Sequence, residues 1–337
     1  MSLRSVAPVL CAALLLSACA GESSAPGGEA GPVAGTGQDG ADAVDRTGSA
    51  ADRAARTQAP QDEAQQTQAA PEVIELPRGG TELFPRYRLF GYSGAPGSEA
   101  FGRLGIGDLD ERVVEMEERG AEYVGSREIM PVLELIATVV HPVPGDDGMF
   151  RTYMDDEVVD DYLAAARRHE GILLLNIQPG RADFIDEVKR WEEYLLEPDV
   201  GVALDPEWAV DDDQIPGRVY GSTTGEELDE VAAYLSDLVQ EHDLPEKVMV
   251  YHQVHASVVE DEGDLRPHDG IAIIKSVDGI GPPQDKIWTY DRVNENKPEH
   301  VVAGFKLFYE EDGVYGPVMT GDAVLDLVPR PQYVLFE

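Results

Sequence analysis

Eight short apolar runs, mostly separated by helical patterns with acidic outer faces, constrain the fold more than any other feature of this chain. The runs are Tyr87 to Tyr92, Val132 to Val139, Ile172 to Ile177, Val200 to Leu204, Val248 to His252, Ile271 to Ser276, Val301 to Phe308 and Gln332 to Phe336. Helical periodicity falls between most of them, on Leu109 to Tyr123, Asp156 to Arg168, Asp183 to Leu195, Gly225 to His242, Asp285 to Asn294 and Gly321 to Leu327. Repeated alternation of strand and helix predicts an α/β fold with a parallel sheet covered by helices. Eight units over residues 73–337 favour closure into a (β/α)8 TIM barrel over an open doubly wound sheet. The open sheet would carry a glycine-rich phosphate fingerprint after its first strand, and Gly91-Tyr92-Ser93-Gly94-Ala95-Pro96-Gly97 lacks that spacing.

The residues ahead of this pattern have a different chemistry. Arg4 precedes the apolar stretch Val6 to Leu16, too short for a membrane span and built like a signal peptide over residues 1–19. Its end, Leu16-Ser17-Ala18-Cys19, resembles the lipobox of bacterial lipoproteins, which implies cleavage before Cys19 and lipidation of that residue. The alternative is a freely secreted chain. Residues 20–72 contain few large apolar side chains and cannot offset the entropy of ordering, so they read as a disordered Ala/Gly/Gln-rich linker. A flexible tether of that length spans roughly 40 Å. With Cys11 in the leader and Cys19 lipidated, the mature chain keeps no free thiol and no disulfide. These readings place the protein outside the cytoplasm, held to the cell membrane by its lipid alone.

With 65 acidic against 26 basic residues, the formal net charge is −39. Phosphate recognition needs clustered Lys and Arg, so nucleic acid is not an expected partner. A saline or alkaline habitat and a merely solvated acidic surface both account for this charge. No Gly-x-Ser-x-Gly elbow and no mature cysteine nucleophile are present, which argues against esterase or thiol chemistry. No cofactor is implied, and the chain reads as a monomer.

In a (β/α)8 barrel the active site is built where the strands end. The fourth run closes on Leu204-Asp205-Pro206-Glu207-Trp208. Residues two apart on a strand share a face, so Asp205 and Glu207 are expected to point together, with the proline stopping the ladder between them. Paired carboxyls raise one another's pKa, which suits general-acid chemistry near neutrality. Trp208 beside them offers an apolar face for a sugar ring. The other run ends contribute Tyr92 and Ser93, Thr138 and His141, Asn176 and Gln178, His252, Gln253 and His255, Lys275 and Asp278, Lys306 and Tyr309, and Glu337. Lys306, alone in an apolar run, needs an acidic partner, and Glu337 and Asp278 are the candidates for a second catalytic acid.

The Asp205-Pro206-Glu207 run resembles the fourth-strand Asp-x-Glu signature of chitinase-like family 18 enzymes and family 25 muramidases. That resemblance implies a glycoside hydrolase in which Glu207 protonates the glycosidic oxygen and Asp205 assists it. Two departures stand out: Ala203 occupies the place of a further family 18 aspartate, and Tyr92 or Ser93 the place of a first-strand aspartate in the muramidases. Over its whole length the domain looks like a group of actinobacterial lipoproteins with a glycosidase-like barrel. The readings left open are a cell-wall or environmental polysaccharide hydrolase, an inactive barrel serving as a glycan-binding or scaffold module, and a metal hydrolase using His141, His252, His255 and His268 with Asp205 and Glu207.

Overall fold

The structure is a computed structural model that describes residues 73–337 apart from residue 98. The leader, Cys19 and the linker lie outside the described residues. Eight parallel strands close into a barrel: β1 (Tyr87–Gly94), β2 (Glu128–Val140), β3 (Ile172–Ile177), β4 (Val200–Leu204), β5 (Lys247–Gln253), β6 (Ile271–Val277), β7 (Val302–Leu307) and β8 (Tyr333–Phe336). Each pairs with its sequence neighbours, and β1 closes the ring by pairing with both β2 and β8. The expected TIM barrel is therefore the observed fold.

Helices α1 (Leu109–Gly120), α2 (Asp156–Arg168), α3 (Phe184–Lys189), α4 (Glu192–Leu195), α5 (Gly225–Glu241), α6 (Pro283–Asn294) and α7 (Gly321–Leu325) cover the outside. The start of α5 is fixed by a capping box: Thr224 accepts from the Glu227 amide, and the Glu227 carboxylate accepts from the Thr224 amide. Between β5 and β6 no α-helix forms among the described residues. The chain there makes two 3-10 turns, Ala256–Val258 and Glu262–Asp264, and a two-residue strand, Val259–Glu260, that pairs with Thr223–Thr224. No helical pattern falls on this stretch of sequence either. Among the described residues no helix is long and apolar enough to cross a membrane.

Strand alternation divides the core into two clusters. Every second side chain points into the barrel, where Leu89, Met130, Val132, Ile172, Leu174, Ala203, Val248, Val250, Ala272, Ile274 and Leu335 fill the interior. The intervening residues pack outward under the helices. Gly201 takes one inward position because β5 passes too close for a side chain: a Cβ there would lie 2.4 Å from the Val248 carbonyl oxygen. We expect Gly201→Ala to cost about 1–3 kcal/mol through overpacking. A lower urea midpoint at unchanged slope is the measurement that checks it.

Candidate active site

Followed one more inward step toward the carboxyl end, each apolar column turns polar. Met130 and Val132 lead to Glu134, Ile172 and Leu174 to Asn176, Gly201 and Ala203 to Asp205, and Val248 and Val250 to His252. Ala272 and Ile274 lead to Ser276 and then Asp278, Val302 and Gly304 to Lys306, Leu335 to Glu337, and Leu89 and Gly91 to Ser93. An apolar floor beneath a polar roof is how this fold builds a site.

The roof is one bonded network. His252, fully buried, places Nδ1 2.8 Å from Asp278 Oδ2 and Nε2 3.0 Å from Glu134 Oε1. The second contact is an ion pair rather than an aligned hydrogen bond. Ser276 Oγ donates to Asp278 Oδ1 at 2.9 Å, and Tyr333 OH donates to Glu134 Oε2 at 2.8 Å. Asn176 Nδ2 donates to both Glu134 Oε1 and Asp205 Oδ1, each at 3.1 Å, and Gln178 Nε2 donates to Asp205 Oδ2 at 3.2 Å. Lys306 Nζ sits 2.6 Å from Glu337 Oε2 and 3.6 Å from Asp278 Oδ2. The expected partner of this lone lysine is therefore present, supplied by the residues that follow β8 and β6.

Asp205 and Glu207 are not alternate residues of one strand, contrary to the sequence expectation. β4 ends at Leu204, and Pro206–Trp208 form a 3-10 turn with Asp205 at its N-cap. The turn, not the pleat, aims Glu207. Its backbone carbonyl is fixed by the Gly221 amide at 2.8 Å, while its Oε2 atom is sealed from solvent without a hydrogen-bond partner. The residue as a whole is only half-buried, so its exposure belongs to other atoms.

Five carboxyls and two cationic side chains share this roof, and their protonation follows from placement. Burial would raise the Glu134 carboxyl, but His252 and Lys306 outweigh it and hold it below the ordinary range. Asp278 is likewise held low against burial by His252 and Lys306. Burial opposes the charge on His252, yet Asp278 and Glu134 keep the imidazolium well above its usual range, and Glu337 and Asp278 do the same for Lys306. Little cationic charge is left for the remaining pair. Burial lifts Asp205 to about 6, with Glu134 and Asp278 adding to the rise and His252 and Lys306 opposing it. Burial lifts Glu207 well above the carboxylate range, and the charges of Asp205 and Asp278 lift it further. The two titrate as a pair.

The structure brings Asn176, Gln178, Asp205, Glu207, His252, Asp278, Lys306 and Glu337 together. Tyr92, Tyr309, Lys275 and Gln253 lie elsewhere, each for a reason of strand phase or loop course. Tyr92 points outward and is fully buried against Phe90 and Phe336, its hydroxyl 2.6 Å from that of Tyr309. Tyr309 itself packs edge-on to Tyr92 and against Phe336. Lys275 points outward to Glu262, at 2.8 Å, and to the Val293 carbonyl. Gln253, one residue past His252, also faces away from the mouth, with its amide 3.4 Å from the Ala256 carbonyl. Trp208 is half-buried beside the pair, its ring edge near Gly217. Of the other aromatic residues, Trp288 is 67 % exposed on α6, Tyr290 is buried with its hydroxyl on Pro329, and Trp191 packs in the core and donates to Thr138.

Glu134, Ser276 and Tyr333 were not among the sequence candidates. His141, His255 and His268 bond Thr152, Ser257 and Asp229 respectively and do not converge with His252. Among the described residues no group of three His, Asp or Glu side chains is arranged to hold a metal. Cavities of about 490 Å³, beside Arg151 and Tyr153, and about 310 Å³, beside Gln253 and Glu262, are lined by neither Asp205 nor Glu207.

Compared with known proteins, the sequence matches no family model and no curated protein.

Proposed function

We propose that the barrel mouth performs acid catalysis on a glycan, with Glu207 as the proton donor and Asp205 as its partner, in a lipid-anchored protein outside the cytoplasm. One observation carries this reading: Glu207 has a sealed, unpartnered carboxyl oxygen at a barrel mouth already crowded with negative charge. Such a carboxyl holds its proton near neutrality, as a general acid must. When Glu207 gives its proton to the glycosidic oxygen it becomes the carboxylate, and Asp205 beside it is held in place by the amides of Asn176 and Gln178, which donate to its two oxygens. Trp208, half-buried next to the acid, supplies a stacking face for a sugar ring. The resemblance of Asp205-Pro206-Glu207 to barrel glycosidases points the same way.

The test is turnover of a panel of polysaccharides, N-acetylhexosamine polymers included, by the parent chain and by Glu207→Gln. We expect the variant to lose about 10²–10⁴-fold in kcat with its fold intact. A fully active Gln variant refutes the assignment. A second reading, a glycan-binding barrel without catalysis, is favoured by the closure of the roof, where Asp205 is only 5 % exposed. Binding without turnover across the panel would select it.

A further inference from the structure

The missing helix between β5 and β6 leaves room that the loop does not fill. A cavity of about 310 Å³ opens there, between residues 253–263 and the carboxyl end of α6, at the small end of the range for small-molecule sites. Its floor is rigid. Glu262, buried, accepts from the Tyr251 hydroxyl and pairs with Lys275, whose Nζ also donates to the Val293 carbonyl of α6. The charge on Glu262 is thereby neutralised from below.

The walls are polar and unsatisfied. Gln253 is 2 % exposed, and its Oε1 atom is buried without a hydrogen-bond partner. Leaving such an acceptor unpaired costs about 1–3 kcal/mol, so the site calls for a donor from outside the chain. On the rim, Asp261 and Asn296 present side chains engaged in no hydrogen bond among the described residues, while Arg292 adds donors beyond its pairing with Glu295. Asp261 is held at φ 46°, ψ 40°, a left-handed conformation that turns the loop over the cavity. The lining offers both acceptors and donors, with Lys275 behind Glu262 and Glu295 beside Arg292 balancing those two charges, and little apolar surface. A hydroxyl-rich neutral ligand, each of whose groups both donates and accepts, matches it.

We propose that this cavity is a carbohydrate subsite that seats one sugar ring beside the barrel mouth, separate from Asp205 and Glu207. Gln253 follows His252 on the opposite face of β5, so the subsite and the mouth share one strand end. The substrate class rests on the glycan reading above, but occupancy of the cavity does not depend on turnover.

The experiment follows the amide NMR signals of the full chain titrated with glucose and with N-acetylglucosamine, in the parent and in Glu207→Gln, Asp261→Gly and Gln253→Leu. Saturable shifts confined to residues 253–263 and 292–296, retained in Glu207→Gln and weakened about tenfold or more in the other two, are expected. Asp261→Gly keeps the fold in play, because glycine adopts the left-handed backbone freely while removing the carboxylate. Absence of saturable shifts with either sugar, which would make the cavity a place for water only, overturns the proposal. So do shifts at these amides that neither Asp261→Gly nor Gln253→Leu weakens. Binding here by a chain that turns over no glycan would sink the acid-catalysis reading and leave the subsite standing, and turnover without binding here would do the reverse.

Discussion

At pH 8, Glu207→Gln unfolds at a higher temperature than the parent chain. An unfolded glutamate titrates near 4.3, whereas the folded Glu207 carboxyl holds its proton to well above that value because of burial and the charges of Asp205 and Asp278. In the window between the two, the native state binds more protons than the unfolded chain, so parent stability falls as pH rises. Glutamine has no proton to lose, and since Glu207 Oε2 accepts no hydrogen bond, the swap forfeits none there. The variant therefore gains on the parent from about pH 5 upward and converges with it below about pH 4. Each kcal/mol recovered raises the melting temperature by roughly 2–4 °C in a domain of this size class. Calorimetric scans from pH 4 to pH 9 would decide the matter: a flat or inverted difference means that Glu207 is an ordinary ionised carboxylate. A variant more stable yet inactive is what a site maintained against stability should give.

The barrel was legible because its signal is repeated. Eight apolar runs at strand length, each ended by polar or turn residues, leave few other ways to bury so much surface, and the runs at Ile172 to Ile177 and Val200 to Leu204 coincide with β3 and β4. The site was legible only where the strand phase was. Asp205 continues the inward column of Gly201 and Ala203, and His252 that of Val248 and Val250, so both were found. Lys275 and Gln253 lie one residue out of phase, and one residue on a strand is the difference between the two faces. Glu134 was missed for a related reason. β2 runs on to Val140, past the mouth, with a register shift between Ile136 and Thr138 and an antiparallel hairpin to Arg151–Tyr153. Its chemical end is not its last residue. Counting two from Met130 and Val132 would have reached Glu134, a lone acid in the apolar run Leu133-Glu134-Leu135. Glu207 answers to no strand rule, since the turn that aims it begins only after β4 has stopped.

His252→Leu tests the charge balance that assigns protons in this roof. Glu134 and Asp278 are both buried, and the imidazolium between them is their closest cationic partner. Removing one member of a buried ion network typically costs about 3–5 kcal/mol, because the others stay behind uncompensated. Tyr333, Asn176 and Ser276 would remain as hydrogen-bond donors, but none carries charge. The pH dependence distinguishes this from lost packing. The two carboxyls, held below their ordinary range, contribute stability above about pH 4 that disappears as acid protonates them in the fold. His252, held above its ordinary range, contributes stability below about pH 6.5 that is lost as pH climbs through its folded value. The deficit of the Leu variant should therefore be widest between about pH 5 and pH 6.5 and shrink on both sides. Urea titrations at pH 4, 6 and 9 measure it. An equal deficit at all three pH values would make His252 a neutral packing residue, and Asp205 and Glu207 would then no longer be the default holders of the protons in this site.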